Sequence, residues 1–359
     1  MKLALLVVGC LALGVAALEA ALRLVFGFGN PPLYVADTQV GYRLAPHQRI
    51  RRFGNRILIN RYSMRGPEIT PLPTEDTLRI LLLGDSIANG GWWTDQEAIL
   101  SMQLQRQLQR ELALAGAAAG PELAGKETVE VLNASANSWG PRNELAYLAK
   151  FGDFGSWGVI VLINTDDLFA IAPTSLPVGR DRNYPDRRPT LALQEIAHRL
   201  IKPRPSPELE ALHQEDSDRV GVNLEALRQI KRLVQQTEGQ MVLAMTPLLR
   251  EVQSPGPRDY EIVARQRLLD LTTAEQIPYL DFLPSFQANS QPQGLYRDHI
   301  HLSPEGNELV SAALVQQVRS QIENHDSHWR SSPQGARPAL KSDLATPPVL
   351  SDPAEDPWR

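Results

Sequence analysis

The sequence predicts an α/β domain built on a parallel, doubly wound five-stranded sheet, and three observations carry that expectation. Short apolar runs at 78–83, 128–133, 159–163, 241–245 and 278–282 alternate with helical patterns, as in successive βα units with right-handed crossovers. The run Val159 to Ile163 is apolar throughout, which suits a strand covered on both faces. At 359 residues, 43% hydrophobic and 21% charged, the chain has the composition of a globular protein with a sizeable core.

The amino terminus differs in kind. Lys2 is followed by sixteen uncharged residues, Leu3 to Leu18, and apolar character resumes after Glu19 through Phe28. Sixteen helical residues span about 24 Å, short of the ~30 Å hydrocarbon core, and continuation to Phe28 supplies the rest. Glu19 and Arg23 stand at i and i+4 on one helix face, where they can pair, and Arg23 can reach toward the headgroups. Lys2 precedes the span and Gly29 to Tyr42 holds no basic residue, so the expected topology is an inside amino terminus and an exported body. A cleaved signal peptide is the rival, with Gly14-Val15-Ala16 as a small-x-small site. The apolar pattern runs well past that point, which favours an uncleaved anchor over residues 1–28. Val7-Val8-Gly9-Cys10 looks like a lipoprotein site, but too short an apolar stretch precedes it.

Gly29-Asn30-Pro31-Pro32 then breaks the helix. Residues 29–77 read as short strands and turns, including Arg56 to Asn60 and Tyr62 to Gly66, closed by a proline-rich linker from Pro67 to Asp76. The main domain is expected over 78–325. Its helices are Glu97 to Leu114, with Leu100, Leu104, Leu108 and Leu112 on one face, then Asn143 to Phe151, Val222 to Glu238, Asp259 to Glu275 and Pro304 to Asn324. An insertion at 172–218, rich in proline and arginine, interrupts the rhythm with at most one helix, around Ala192 to Ile201. A loop of that length reads either as a lid or binding element or as a tolerated surface insertion. Residues 326–359 are polar and proline-rich, a tail expected to be disordered. No internal repeat is visible.

Several function classes drop out. Net charge is −5 with both signs dispersed, so no nucleic-acid footprint is present. The single Cys10 excludes an internal disulfide and any multi-cysteine metal site. No His-x-x-x-His occurs, and His299 with His301 lacks a third ligand. Neither a metal nor an organic cofactor is expected.

The candidate chemistry lies in two remote segments. Gly84-Asp85-Ser86 follows the first sheet strand, so Ser86 is expected at the carboxyl edge where ligands of open parallel sheets gather. Its own backbone N–H, near a helix start, could bind a developing oxyanion. The plain alternative is a strand-to-helix turn with Ser or Asp as N-cap. Asp298 and His301, on a turn before the last helix, are spaced so that the carboxylate can hold the imidazole Nδ1–H and leave Nε2 to take a serine proton. Asp298 reads equally as a turn former, and Ser303 as the N-cap of the following helix. His299 is expected to point elsewhere. Trp92, Trp93 and Trp139 read either as a stacking wall for a sugar or acyl group or as packing. Arg180, Arg182, Arg187 and Arg188 could meet an anionic polymer or lipid headgroups, or form a solvated loop.

On these residues the chain resembles the SGNH (GDSL-type) hydrolases across about residues 78–322. The resemblance implies a flavodoxin-like three-layer α/β/α fold. Leu83 to Ser86 resembles the first family block, with Ser86 as nucleophile. Asp298 to Ser303 resembles the last, with Asp298 and His301 completing a triad. Leu132 to Ser138 resembles the second block, where the family's oxyanion glycine falls on Ser138. Val159 to Asp167 resembles the third, where the oxyanion asparagine falls on Asp166, with Asn164 two residues earlier. The anchor and the stretch Asn60 to Gly66 resemble the front end of membrane-anchored bacterial members. An ionised carboxylate only accepts hydrogen bonds. Asp166 is therefore protonated, or Asn164 supplies the donor, or the hole runs with fewer donors. The implied activity is hydrolysis of acyl esters on a cell-surface glycan or lipid, outside the cytoplasm, or O-acyl transfer by the same groups. The altered second and third blocks leave a non-catalytic glycan- or partner-binding member as the other reading.

Overall fold

A computed structural model describes residues 1–115, 120, 122–201, 206–214 and 217–331. Helix α1 (Lys2–Ala21) continues as a wider π-type turn, Leu22–Phe26, and stops at Gly27 in the left-handed region. The end falls two residues earlier than the apolar pattern suggests. A Cβ on Gly27 would stand 2.0 Å from the Arg51 carbonyl oxygen, so the chain can turn there only because it carries no side chain. The helix from Lys2 to Phe26 is long and apolar enough to cross a bilayer.

Two antiparallel hairpins follow, β1 (Tyr34–Asp37) with β2 (Gly41–Leu44) and β3 (Gln48–Arg52) with β4 (Asn55–Ile59). Then come β5 (Thr77–Gly84), α2 (Ser86–Asn89), α3 (Leu100–Ala115), β6 (Thr128–Ser135), α4 (Pro141–Phe151) and β7 (Gly158–Asn164). The insertion carries α5 (Ala192–Leu200) and α6 (Pro207–His213), after which α7 (Arg219–Gln236) leads to β8 (Gln240–Thr246). The chain closes with α8 (Leu249–Val252), α9 (Asp259–Ala274), β9 (Tyr279–Asp281), α10 (Leu283–Gln287) and α11 (Pro304–Ser331).

The main sheet has the order β6-β5-β7-β8-β9 and is parallel throughout, a three-layer α/β/α arrangement. Alternation along each strand sorts its residues between two cores. Leu78, Ile80 and Leu82 of β5 join Leu100, Leu104 and Leu108 of α3 and Val310, Leu314 and Val318 of α11 on one face. Leu81 and Leu83 join Tyr147, Leu227, Leu268 and the hairpin residues Tyr34, Tyr42, Ile50 and Ile57 on the other. All eight residues of β5 are buried, which is why Ile80 to Leu83 are apolar without a break, and the buried Arg79 guanidinium pairs with Glu130 at 2.7 Å. The hairpins thus belong to the domain's own core.

Two helices extend beyond what the sequence pattern predicts. The insertion holds a second helix, α6, where at most one was expected. Ser206 caps it through its side chain and Pro207 fills the first position, a start signal that the surrounding prolines obscure. Helix α11 runs on to Ser331, past the expected end at Asn324. The remaining tail, 332–359, lies outside the described residues.

The amino-terminal apolar helix is joined to the body around a buried ion pair. Arg52 Nη2 stands 2.6 Å from Glu195 Oε1 of α5, and both side chains are almost wholly buried. Glu195 Oε2 also accepts from the Gly29 N–H at 2.7 Å, while Arg52 Nη1 donates to the Gly27 carbonyl at 3.3 Å. Burial works against ionisation of Glu195, but these donors outweigh it and hold the carboxyl below its ordinary range. Removing one partner of such a pair strands the other's charge. Glu195→Ala is therefore expected to lower the unfolding free energy by about 3–5 kcal/mol, with the Arg52→Met/Glu195→Met double variant losing less, in denaturant titrations of the detergent-solubilised protein.

Candidate active site

Strand β5 ends against its neighbour β7 so tightly that a Cβ on Gly84 would lie 2.6 Å from the Leu162 carbonyl oxygen and 2.7 Å from Ala88 Cβ. The turn that follows is therefore sharp. Asp85 caps α2 by accepting the Ile87 N–H at 2.8 Å, and Ser86, 8% exposed, sits at the first helical position. The place is the carboxyl edge of the sheet, beside the strand where the connection order reverses.

The second segment is a closed loop between the 3-10 turn Pro292–Leu295 and α11. A bridge pairs Tyr296 with Leu302, and the Arg297 N–H donates to the His301 carbonyl at 2.8 Å. Ser303 caps α11 by accepting the Gly306 N–H at 3.1 Å. Inside the loop Asp298 Oδ1 accepts the backbone N–H groups of Ile300 (3.0 Å) and His301 (2.8 Å), which locks the carboxylate in place. Its Oδ2 lies 2.8 Å from His301 Nδ1, and His301 Nε2 lies 2.9 Å from Ser86 Oγ. Three residues from opposite ends of the domain thus form one hydrogen-bonded line. Partial burial tends to raise the Asp298 carboxyl, but the two backbone donors and the imidazole hold it below the usual carboxylate range. His299 stays outside this line: its side chain is 84% exposed and forms part of the cleft's lining.

Ser138 has φ 57°, the left-handed conformation that glycine adopts most easily, and a serine occupies it here. Its hydroxyl accepts from Tyr184 of the insertion at 2.9 Å, and it lines the cleft with Ser86. Asn164 is placed otherwise. Its Nδ2 donates to Asp85 Oδ2 at 2.7 Å and to Asp167 Oδ2 at 2.9 Å, so both amide hydrogens are committed under the serine turn. Asn164 and Asp166 are not among the described residues that line the cleft. Asp166 is exposed in part, and desolvation raises its carboxyl above the ordinary value despite the pull of Arg250. Deeper down, burial pushes Asp85 up, and pushes Asp167 and Glu144 well up, with the charge on Asp85 adding to the rise in both of the latter. The floor of the site is held toward its neutral form.

The aromatic candidates divide. Trp139 is fully buried and donates its indole N–H to the Tyr42 carbonyl at 2.9 Å, so it packs the core. Trp92 and Trp93 line the cleft, and the Trp93 ring meets the His301 ring edge-on at 4.6 Å between centroids. Other contributors carry no signal a lone sequence reveals. Arg65 is buried and donates Nη1 to the carbonyls of Asn89 (2.6 Å) and Gly91, and Nη2 to that of Thr94 (2.6 Å), which ties down the loop bearing both tryptophans. Tyr184 stacks between Tyr34 and Tyr42, at 5.1 and 5.0 Å, and brings the insertion to the cleft.

The cleft encloses about 390 Å³, with hairpin, tryptophan-loop, insertion and histidine-loop residues for walls. That is room for a small acyl group and part of its alcohol. A larger neighbouring groove of about 750 Å³ lies within the insertion, and Ser86 and His301 do not line it. Among the described residues no group of three or more His, Cys, Asp or Glu side chains could hold a metal ion.

A family model described as the GDSL-like Lipase/Acylhydrolase family matches residues 82–309. Among solved structures, the lipase/acylhydrolase from Enterococcus faecalis is 18% identical, with 68% of this chain and 96% of that chain covered and a TM-score of 0.39. An acetyl xylan esterase, AlAXEase, is 11% identical over 68% of this chain and 100% of that one, with a TM-score of 0.42. A GDSL-like lipase from Bacteroides thetaiotaomicron is 9% identical over 70% and 91%, with a TM-score of 0.39. No curated protein sequence matches the chain. With the family model spanning most of the chain from the end of β5 into α11, this protein belongs to the GDSL-like lipase/acylhydrolase family of enzymes.

Proposed function

We propose that this enzyme is a serine esterase whose nucleophile is Ser86, acting from an anchored body outside the cytoplasm on acyl esters of a cell-surface glycan or lipid. The observation that supports the reading is the line from Ser86 Oγ through His301 to Asp298, at 2.9 and 2.8 Å, at the mouth of a closed-sided cleft.

The chemistry follows from which atom holds each proton. His301 Nδ1–H donates to Asp298, so Nε2 carries the lone pair that accepts the Ser86 hydroxyl proton. The freed oxygen adds to the ester carbonyl, and the new C–O bond forms as the carbonyl oxygen takes the electron pair. Backbone N–H groups of Ser86 and Ser138 receive that charge. As the tetrahedral centre collapses, the leaving alcohol takes the proton from Nε2. Water, deprotonated in turn by His301, then releases the acyl group and restores Ser86. A sugar hydroxyl in place of that water would make the same groups an O-acyltransferase, and the acceptor is read from the product. Asp298, kept ionised, stabilises the imidazolium in both halves of the cycle.

Ser86→Ala is expected to lower kcat on a short acyl ester by roughly 10⁶, and His301→Ala by a similar factor, with neither loss adding fully to the other. Unchanged turnover in Ser86→Ala, measured beside the wild type, ends the proposal. Asp166 supplies a separate test. To act as a third donor Asp166, which lies outside the cleft lining, would have to be protonated and be carried in with its turn when substrate binds. A raised value keeps that proton below the Asp166 midpoint and loses it as pH rises through it. Wild-type kcat should accordingly decline with rising pH where Asp166→Asn stays level, with a gap of up to about 10²-fold on the alkaline side. Superimposable pH profiles remove Asp166 from the mechanism.

A further inference from the structure

The joint between α1 and the body is built of ion pairs and hydrogen bonds. The Glu19 carboxylate, inside the helix, accepts the backbone N–H groups of Ala192 (2.7 Å) and Leu193 (3.0 Å), and so caps helix α5 of the insertion. Arg23 pairs with Glu19 at 2.6 Å and donates to the Thr190 carbonyl at 2.6 Å. Phe53 donates its N–H to the Phe26 carbonyl at 3.0 Å, and Glu195 ties α5 to Arg52 and Gly29. The sequence suggested that Glu19 and Arg23 neutralise each other. They do, and the same pair also fastens α5 to the end of the apolar helix.

The face of α5 turned from these ties is apolar. Leu193, Ile196 and Leu200 fall on one side of the helix, and Leu191, Leu200 and Ile201 are exposed, Leu200 at 80%. Helix α5 touches the turn Leu22–Phe26 at the foot of α1, where Leu24, Val25 and Phe26 are exposed, as is Phe53 on the neighbouring hairpin. Beyond this rim, Arg187 and Arg188 are exposed and make no ion pair among the described residues, while Asp181, Asp186 and Glu208 share the groove. An apolar helix face beside a spanning helix, with basic residues behind it, matches the layering of a bilayer's acyl boundary and anionic headgroups.

From that foot an aromatic chain runs into the cleft. Phe26 meets Phe53 at 5.7 Å, Phe53 meets Trp92 at 5.0 Å, Trp92 meets Trp93 at 5.7 Å, and Trp93 meets His301 at 4.6 Å. Pro31 and Pro32, a few residues past the end of the apolar helix, and Arg182 and Arg199 of the insertion line the cleft itself. The mouth of the cleft is therefore held beside the base of α1.

We propose that α5 is a second membrane contact, lying in the interface of an anionic bilayer next to α1, and that it seats the cleft mouth at the lipid surface so that the acyl ester is drawn from a membrane-borne lipid. This rests on α1 remaining as an anchor and on the esterase reading above. It adds the substrate's address: the ester is carried on an amphiphile in the same bilayer, and a soluble glycan ester is the poorer substrate.

The test uses the full chain, with Cys10→Ser, in vesicles of equal parts phosphatidylcholine and phosphatidylglycerol. An environment-sensitive fluorophore on Leu200→Cys should shift to the blue and be quenched by lipid spin-labelled high on the acyl chain. The same label on Leu114→Cys, an exposed position at the end of α3 on the opposite edge of the sheet, should do neither. A position-200 probe that behaves like the position-114 probe overturns the interface. This readout needs no catalysis, so it stands or falls apart from Ser86. In the same vesicles, Leu200→Glu/Ile201→Glu should lose most turnover of an acyl ester borne on lipid and keep its turnover of a soluble short-chain ester. Retained lipid turnover overturns delivery from the bilayer. Should the glutamates prevent folding, Leu200→Ser/Ile201→Ser gives the same comparison.

Discussion

The close approach of Gly84 to the backbone of β7 is the contact on which the site's placement depends. Only a residue without a side chain can bring β5 this near to the Leu162 carbonyl, and the tightness forces the chain to turn at once. Asp85 takes up the Ile87 N–H at the start of the short helix, and Ser86 emerges at the sheet's edge instead of under it. A side chain at position 84 would push the turn outward by a contact distance. A hydrogen bond of 2.9 Å to His301 has no slack of that size.

Charge is handled differently above and below that turn. Asp298, at the rim, is held ionised by backbone donors and the imidazole it serves. Below the turn, Asp85, Asp167 and Glu144 are buried where water cannot solvate a negative charge, and the Asp85 charge makes ionisation of Asp167 and Glu144 still less favourable. Asn164 belongs to the lower group, its amide spent bridging Asp85 and Asp167. Its commitment there explains why the asparagine nearest to the expected oxyanion position serves the scaffold. Arg65 shows the opposite economy: a buried cation whose two Nη atoms donate to three main-chain carbonyls, its planar fork suiting the loop it holds.

The insertion changes meaning once it is placed. As a string of prolines and arginines it is equally a surface loop or a lid. In space, Tyr184 reaches Ser138, Glu195 meets Arg52, and Glu19 caps α5. The segment is a bracket between the apolar helix, the hairpins and the cleft. The hairpins likewise prove to be core, with Tyr34, Tyr42 and Ile57 packed on the sheet's face.

The strands, their order of occurrence, the two chemical segments and the apolar amino-terminal helix were legible in the sequence, because each is written locally. Burial on both faces demands unbroken apolar runs, a helix face demands its period, and Asp298 can reach His301 within a single turn. Long-range pairings were decided by tertiary structure alone. Nothing near Arg65 announces carbonyls at Asn89, Gly91 and Thr94, and nothing near Glu19 announces the first turn of α5. Such contacts arise between groups remote along the chain, and a residue's type records only that it can donate or accept, with no trace of which partner the fold will bring to it.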